Sequence, residues 1–275
     1  MKILITGVTG SVGPHVLKEM ADHHEIRMMA RGALDMPYEL VIGDLLSLDD
    51  CRRAVAGAEA VVHIAGRPEP ADDAVAVNVQ GTYHLLEASR EAEIRRFIFA
   101  GTNCVYGHCY PVTDRPFRPD KLPIEEDCPL KPEDNYGLSK ALAERMLALY
   151  SQTWGMKTAA LRLCWVWGEK EIAWRREMEQ LDLARFAPYF WAYVDGRDVA
   201  RAFRLALEAN SLPDYGAYNI SAADHMADEP SEELRQQFYP DVAVGKTLAG
   251  RNTFFDWQAA HNAFGYQPQF SWRNE

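Results

Sequence analysis

Nowhere in the 275 residues is there an apolar run approaching the roughly 18 that a transmembrane helix needs, so no membrane partner is expected. The opening stretch, Met1 to Gly7, is too short an apolar run for a secretory signal. The five cysteines, Cys51, Cys104, Cys109, Cys128 and Cys164, contain no CxxC pair and make an odd set. Neither a structural zinc nor a disulfide scaffold is indicated, no metal site is expected, and the setting reads as a reducing cytoplasm. Basic charge is also scarce, with 29 Lys and Arg against 40 Asp and Glu and a formal net charge of −11. The longest basic runs are the pairs Arg52-Arg53, Arg95-Arg96 and Arg175-Arg176, so nucleic acid is not an expected partner.

What is present is an ordinary globular composition, 48% hydrophobic and 25% charged, which excludes a disordered chain. At about 150 residues per domain, the length fits one large domain with an appendage or two unequal ones. Short apolar runs occur at Lys2 to Thr6, Glu25 to Ala30, Glu39 to Ile42, Ala60 to Ile64, Arg96 to Ala100 and Thr158 to Leu163. Helical patterns at 12–22, 49–56, 72–92 and 135–154 alternate with them. That alternation predicts an α/β fold, a doubly wound parallel sheet. In the last helix Leu138, Ala141, Leu142, Met146 and Leu149 form a stripe of helical period. After residue 166 the alternation lapses, 197–208 reads as one more helix, and prolines and acidic residues break up 211–250.

The first strand runs straight into Gly7-Val8-Thr9-Gly10-Ser11-Val12-Gly13, which opens a predicted helix. Glycine serves where a backbone turns tightly and where it must approach a pyrophosphate, and the helix N-terminus adds N–H donors and positive dipole. Gly7, Thr9, Gly10, Ser11, Val12 and Gly13 are therefore expected to cradle a dinucleotide, on a Rossmann-type sheet. The second strand ends Met29-Ala30-Arg31, without the carboxylate that would bind the adenosine ribose. A guanidinium there suits a 2′-phosphate, so the expected cofactor is NADP or NAD, with NADP favoured through Arg31. Asp44, beside Leu45 in Gly43-Asp44-Leu45, is placed to accept from the adenine amino group. Ala65 and Gly66 end the fourth strand and let a cofactor pass closely. The expected organisation is a dinucleotide-binding domain over 1–166, to which 193–220 returns. The segments 167–192 and 221–275 make a small C-terminal substrate-binding lobe.

Tyr136-Gly137-Leu138-Ser139-Lys140 is a YxxxK at the start of a helix. Residues four apart share a helix face, so the Lys140 ammonium can stabilise the Tyr136 phenolate. A phenol ordinarily titrates near 10, and lowering it makes a general base for an alcohol.

With these motifs, and with VVHIAG at 61–66, Asn78 in NVQGT, FIFAGTNCVYG at 97–107 and YVDGRDVARAF at 193–203, the chain resembles an extended short-chain dehydrogenase/reductase of the NAD-dependent epimerase/dehydratase family. The resemblance runs over nearly the whole chain. It places the catalytic hydroxyl on Thr102, with Tyr136 as base and Lys140 also holding the nicotinamide ribose. Asn78 is expected to brace the sheet beside the cofactor and is counted with the cofactor-binding residues. Hydride transfer at a secondary alcohol of a sugar or sugar derivative is implied, either as epimerisation or as net oxidation or reduction. A uronate-like dehydrogenase or carbonyl reductase is the alternative, and a noncatalytic dinucleotide sensor the second; the intact Thr102, Tyr136 and Lys140 disfavour the sensor. A homodimer through the helices at 72–92 and 135–154 is also implied.

Two departures narrow the substrate. Dehydratases of this family carry acidic residues after the catalytic Thr, where this chain has Asn103 and Cys104. Trp165 stands where nucleotide-sugar epimerases usually carry Asn, which favours a sugar face over a diphosphate. Asn103, Trp165 and Arg175 are the substrate-contact candidates, with Arg176 and Arg185 as further anion clamps or solvated charges. Trp174, Trp191 and Tyr193 are placed either on the pocket wall or in the core of the lobe.

Overall fold

The computed structural model describes residues 1–68, 73–110, 112–114 and 117–274. Seven parallel strands form the central sheet: β1 (Lys2–Thr6), β2 (Glu25–Ala30), β3 (Glu39–Ile42), β4 (Ala60–His63), β5 (Arg96–Thr102), β7 (Lys157–Leu163) and β10 (Tyr215–Ile220). Their order is β10-β7-β5-β4-β1-β2-β3, with the switch in winding between β1 and β4. Two-residue strands make the outworks: β6 (Lys121–Leu122) pairs with β11 (Ala243–Val244), and β8 (Val166–Trp167) with β9 (Val194–Asp195). The fold is a Rossmann-type α/β sheet.

The central strands are apolar on both faces because helices cover both. Ile3 and Ile5 of β1 join one core cluster with Val62 and Ile98, while Leu4 joins the other with Val61 and Phe97. On the first face lie α1 (Gly13–Ala21) and α7 (Gly196–Glu208); on the second, α2 (Leu48–Val55), α3 (Thr82–Glu91) and α4 (Asn135–Trp154). Local chemistry sets the helix ends. Ser47 caps α2, with acidic residues in its first turn and Arg52 and Arg53 in its last. Asp134 caps α4 by accepting from the Gly137 N–H at 2.7 Å, and Gly155 ends it with φ of +67°.

Two elements differ from expectation. The helix predicted over 72–92 begins outside the described residues at 72, and its 76–81 portion is a π-helix leading into α3. The segment 211–250 contains strand β10, which sequence pattern alone left irregular. Pro213 precedes the strand, and its ladder is supplied entirely by β7, with Tyr215 opposite Thr158 and Ile220 opposite Leu163.

Candidate functional site

A cleft of about 970 Å³ opens across the carboxyl ends of the parallel strands, where open α/β sheets place their ligands. Gly7 has φ of +78°, and a Cβ there would lie 2.4 Å from the Ala65 nitrogen. A Cβ on Gly13 would meet the Val8 carbonyl carbon at 2.4 Å. Chain packing therefore requires both glycines. At Gly10 a Cβ would meet nothing closer than 3.5 Å, so packing within the chain does not require glycine there. Gly7, Thr9, Gly10, Ser11 and Val12 line the cleft. Val12 caps α1 without a side-chain hydrogen bond, which leaves first-turn N–H groups of that helix for an anion.

Farther along, Arg31 is exposed at the end of β2 and shares the cleft wall with Asp44 and Leu45. Asp44 is held by its neighbours: its Oδ1 accepts from the Leu46 N–H at 2.9 Å and its own N–H donates to Asp50 Oδ2 at 2.9 Å. Ala65 and Gly66 line the floor, and a Cβ on Gly66 would lie 3.0 Å from Lys140 Nζ. A bare floor, free helix N–H groups and a flanking cation together fit a dinucleotide.

The expected catalytic residues Thr102, Tyr136 and Lys140 share the cleft lining. Thr102 ends β5 and caps the 3-10 turn Asn103–Tyr106, its Oγ1 accepting from the Cys104 N–H at 3.2 Å. Tyr136 and Lys140 lie one turn apart at the start of α4 and line the cleft together with Thr102. Lys140 is buried; its Nζ donates to the Ala100 carbonyl at 2.9 Å and lies 5.9 Å from the centre of the Tyr136 ring. Burial lowers Lys140 to about 8, with Cys104 and Glu144 opposing the shift. Burial also pushes the Tyr136 phenol up, while the Thr102 hydrogen bond pulls it down. Thr102, put forward by the family resemblance, and Tyr136 and Lys140, put forward by the YxxxK spacing, thus line one cleft.

Asn103 and Trp165 also line the cleft. Asn103 Oδ1 accepts from the Cys104 and Cys109 thiols at 3.9 and 3.6 Å. Trp165 is 45% exposed, stacks on Phe186 at an interplanar 13°, and meets Trp167 edge-on. Arg185, Phe186, Tyr189 and Tyr110 complete the wall, and Tyr110 lies edge-on to Tyr136 at 6.4 Å. Tyr110, Phe186 and Tyr189 carry no sequence motif; the aromatic density of 165–193 was the one available signal for Phe186 and Tyr189, and Tyr110 had none.

Three expected site residues lie elsewhere. Arg175 is buried at 2% exposure, where its Nε donates to the Met226 carbonyl at 2.7 Å, a terminal nitrogen pairs with Asp228 at 2.6 Å, and the guanidinium lies 4.0 Å over Trp272. It bolts α5 (Glu169–Glu177) to the C-terminal segment and does not reach the cleft. Asn78 does not line the cleft either. Its amide clasps both the N–H and the carbonyl of Arg67 and donates to Ser139 Oγ at 2.9 Å, which ties the loop after β4 to α4. Gly13 packs beneath the loop instead of lining it. Trp191 and Tyr193 are core residues, and Arg176 is spent on the Trp272 and Asn274 carbonyls. Among the described residues no group of three His, Cys, Asp or Glu is arranged for a metal, and no helix is long and apolar enough to cross a membrane.

A glycine-lined dinucleotide cleft with Thr, Tyr and Lys converging on it defines an enzyme of the extended short-chain dehydrogenase/reductase type that depends on NAD or NADP. The chain belongs to the NAD dependent epimerase/dehydratase family, which matches it over residues 3–221. It is 31% identical over 224 residues to L-arabinose 1-dehydrogenase (NAD(P)(+)) of Haloferax volcanii, covering 78% of this chain and 84% of that one. Uronate dehydrogenase of Pseudomonas syringae pv. tomato is 28% identical over 169 residues, covering 59% of this chain and 58% of that one. Among solved structures, a short-chain dehydrogenase/reductase superfamily protein from Agrobacterium tumefaciens with bound NAD matches with a TM-score of 0.75 at 21% identity, over 99% of this chain and 94% of that one.

Proposed function

We propose that the protein is a dehydrogenase of a free monosaccharide, removing hydride and proton from one ring carbinol and leaving a carbonyl. The observation that carries this reading is the aromatic wall beyond Thr102 and Tyr136. Trp165, backed by Phe186 and Trp174, presents a flat apolar face to the cleft, the complement of a compact sugar ring. The similarity to L-arabinose 1-dehydrogenase supports it.

Bound NAD(P) supplies the hydride acceptor. Thr102 Oγ1 holds the substrate oxygen, and Tyr136 takes its proton as the carbonyl forms. Lys140 sets the phenol's acidity through its charge and holds the nicotinamide ribose. Arg31 reads the adenosine end and favours NADP. The segment 167–192 serves as the substrate-facing part of the lobe, since Arg185, Phe186 and Tyr189 reach the cleft from it, while 221–275 packs behind. The reaction belongs in a reducing cytoplasm, where the neighbouring thiols of Cys104 and Cys109 stay free. The working form is a homodimer: Tyr83 of α3 and Leu138, Leu142 and Leu149 of α4 are exposed, and pairing these helices with a second copy covers them.

Purified protein offered L-arabinose, other aldoses, galacturonate and UDP-glucose, each with NAD and with NADP, should reduce cofactor stoichiometrically with a free sugar. Conversion of UDP-glucose to its epimer without net change in nicotinamide absorbance overturns the reading.

A further inference from the structure

We propose that Arg162 is a positioning residue for the reaction, one buried guanidinium that fixes Thr102 relative to Tyr136 and Lys140. Arg162 lies on β7 opposite Gly101, the neighbour of Thr102, so it starts in register with the strand end that carries the hydroxyl. Four hydrogen bonds radiate from it. Nε and one terminal nitrogen grip both oxygens of Glu144 at 3.0 and 2.8 Å. The other terminal nitrogen donates to the Tyr106 hydroxyl at 2.9 Å and to the Glu126 carbonyl at 3.0 Å.

Two of its three partners, Glu144 and Tyr106, sit on elements that carry site residues. Glu144 is one helical turn beyond Lys140 on α4, so its grip sets the axial position of the helix that bears Tyr136 and Lys140. Tyr106 closes the 3-10 turn that Thr102 caps, and its hydroxyl passes the contact on to Asn219 Oδ1 at 2.8 Å, on β10. The link is therefore independent of the direct contact at the cleft, Lys140 to Ala100.

The energetics favour a geometric role. The Arg162 and Glu144 side chains are 5% and 2% exposed, and an ion pair so buried adds little net stability over well-packed apolar residues of the same size. What it adds is direction: a planar fork accepts a carboxylate in one orientation, which a lysine's point charge does not impose.

This inference rests on the catalytic roles proposed for Thr102, Tyr136 and Lys140, so Tyr136→Phe is measured beside Tyr106→Phe and Arg162→Lys. Tyr106→Phe removes one hydroxyl and keeps the ring, which protects folding should Arg162→Lys fail to fold. Two readouts are taken. One is kcat with the sugar that turns over fastest. The other needs no substrate: the shift and ionisation midpoint of the Tyr136 ring by NMR of ring-labelled protein with NAD, assigned by its loss in Tyr136→Phe. The expected result is a kcat lowered about fivefold in Tyr106→Phe and more in Arg162→Lys, KM for cofactor within twofold, and a displaced Tyr136 resonance with a higher midpoint. A Tyr136 resonance and kcat identical to wild type, with only a lowered melting temperature, overturn the proposal. Undiminished turnover in Tyr136→Phe instead overturns the catalytic assignment.

Discussion

Lys140 Nζ donates to the carbonyl of Ala100 at 2.9 Å, which fastens the helix of the proposed base to the strand that ends, two residues on, in Thr102. Held there, the ammonium is buried under the Phe99 ring, 4.6 Å from its centre, and has two further N–H donors. Tyr136→Phe should lower kcat by about a thousandfold, the scale of a lost general base, with dinucleotide Kd within threefold. Lys140→Met should lower kcat comparably and also weaken dinucleotide binding, which fluorescence titration would show. Retention of wild-type binding in Lys140→Met argues against its ribose contact.

Arg31 stands exposed where the chain has no ribose-binding carboxylate. Arg31→Asp should lower the ratio of kcat/KM for NADP over NAD by at least tenfold, about 1.4 kcal/mol. An unchanged ratio removes Arg31 from cofactor selection.

Trp165 is the exposed face of an aromatic cluster. Trp165→Ala should raise the KM for sugar about tenfold, in keeping with about 1–2 kcal/mol of ring stacking and burial, and leave cofactor KM unmoved. A change confined to cofactor KM would place the indole on the wrong ligand.

Arg175 has become a structural residue, so Arg175→Met should act on stability. It strands the buried Met226 carbonyl and loosens Asp228, a cost of about 1–3 kcal/mol that a melting curve would register. Sugar KM should stay within twofold; a tenfold rise would return Arg175 to the site.

His63, His108 and His225 are all buried and lowered to about 3 by desolvation. Each is neutral in the fold, yet in the unfolded chain it gains a proton below about 6.5. Between about 3 and 6.5 the unfolded state thus binds more protons, and stability falls as pH falls through that window. Glu126 opposes them: burial raises it to about 7 from 4.5, so the fold keeps a proton there that the unfolded chain has released. Asp198, also raised by burial, acts with Glu126, and His24, lowered by burial, acts with the other imidazoles. Four imidazoles outweigh two carboxyls, and the melting temperature should drop from pH 7 to pH 5. A flat or rising profile contradicts this balance.

The glycine loop, the YxxxK and most strand limits were legible because local sequence carries them. A strand running into Gly7 and a tyrosine four residues before a lysine have the same meaning wherever the sheet closes. The aromatic wall of the cleft was not legible, since Tyr110 lies on a bend and Phe186 and Tyr189 end a one-turn helix and a 3-10 turn, short elements whose positions depend on what they pack against. Arg175 shows the same limit from the other side: sequence offered a cation near the site, and Met226, Asp228 and Trp272, some fifty to a hundred residues later, had already taken it.

Sequence by itself determined the parallel α/β sheet, the dinucleotide loop and the identity of the proposed base and its lysine, since hydrophobic period and fixed spacing are local properties. Tertiary structure alone decided which polar groups are free. Asn78 is spent on Arg67 and Ser139, Arg162 on Glu144 and Tyr106, while Arg185 and Trp165 face the cleft. A buried donor takes whatever acceptor the fold brings within reach, because leaving it unpaired costs more than any local preference supplies.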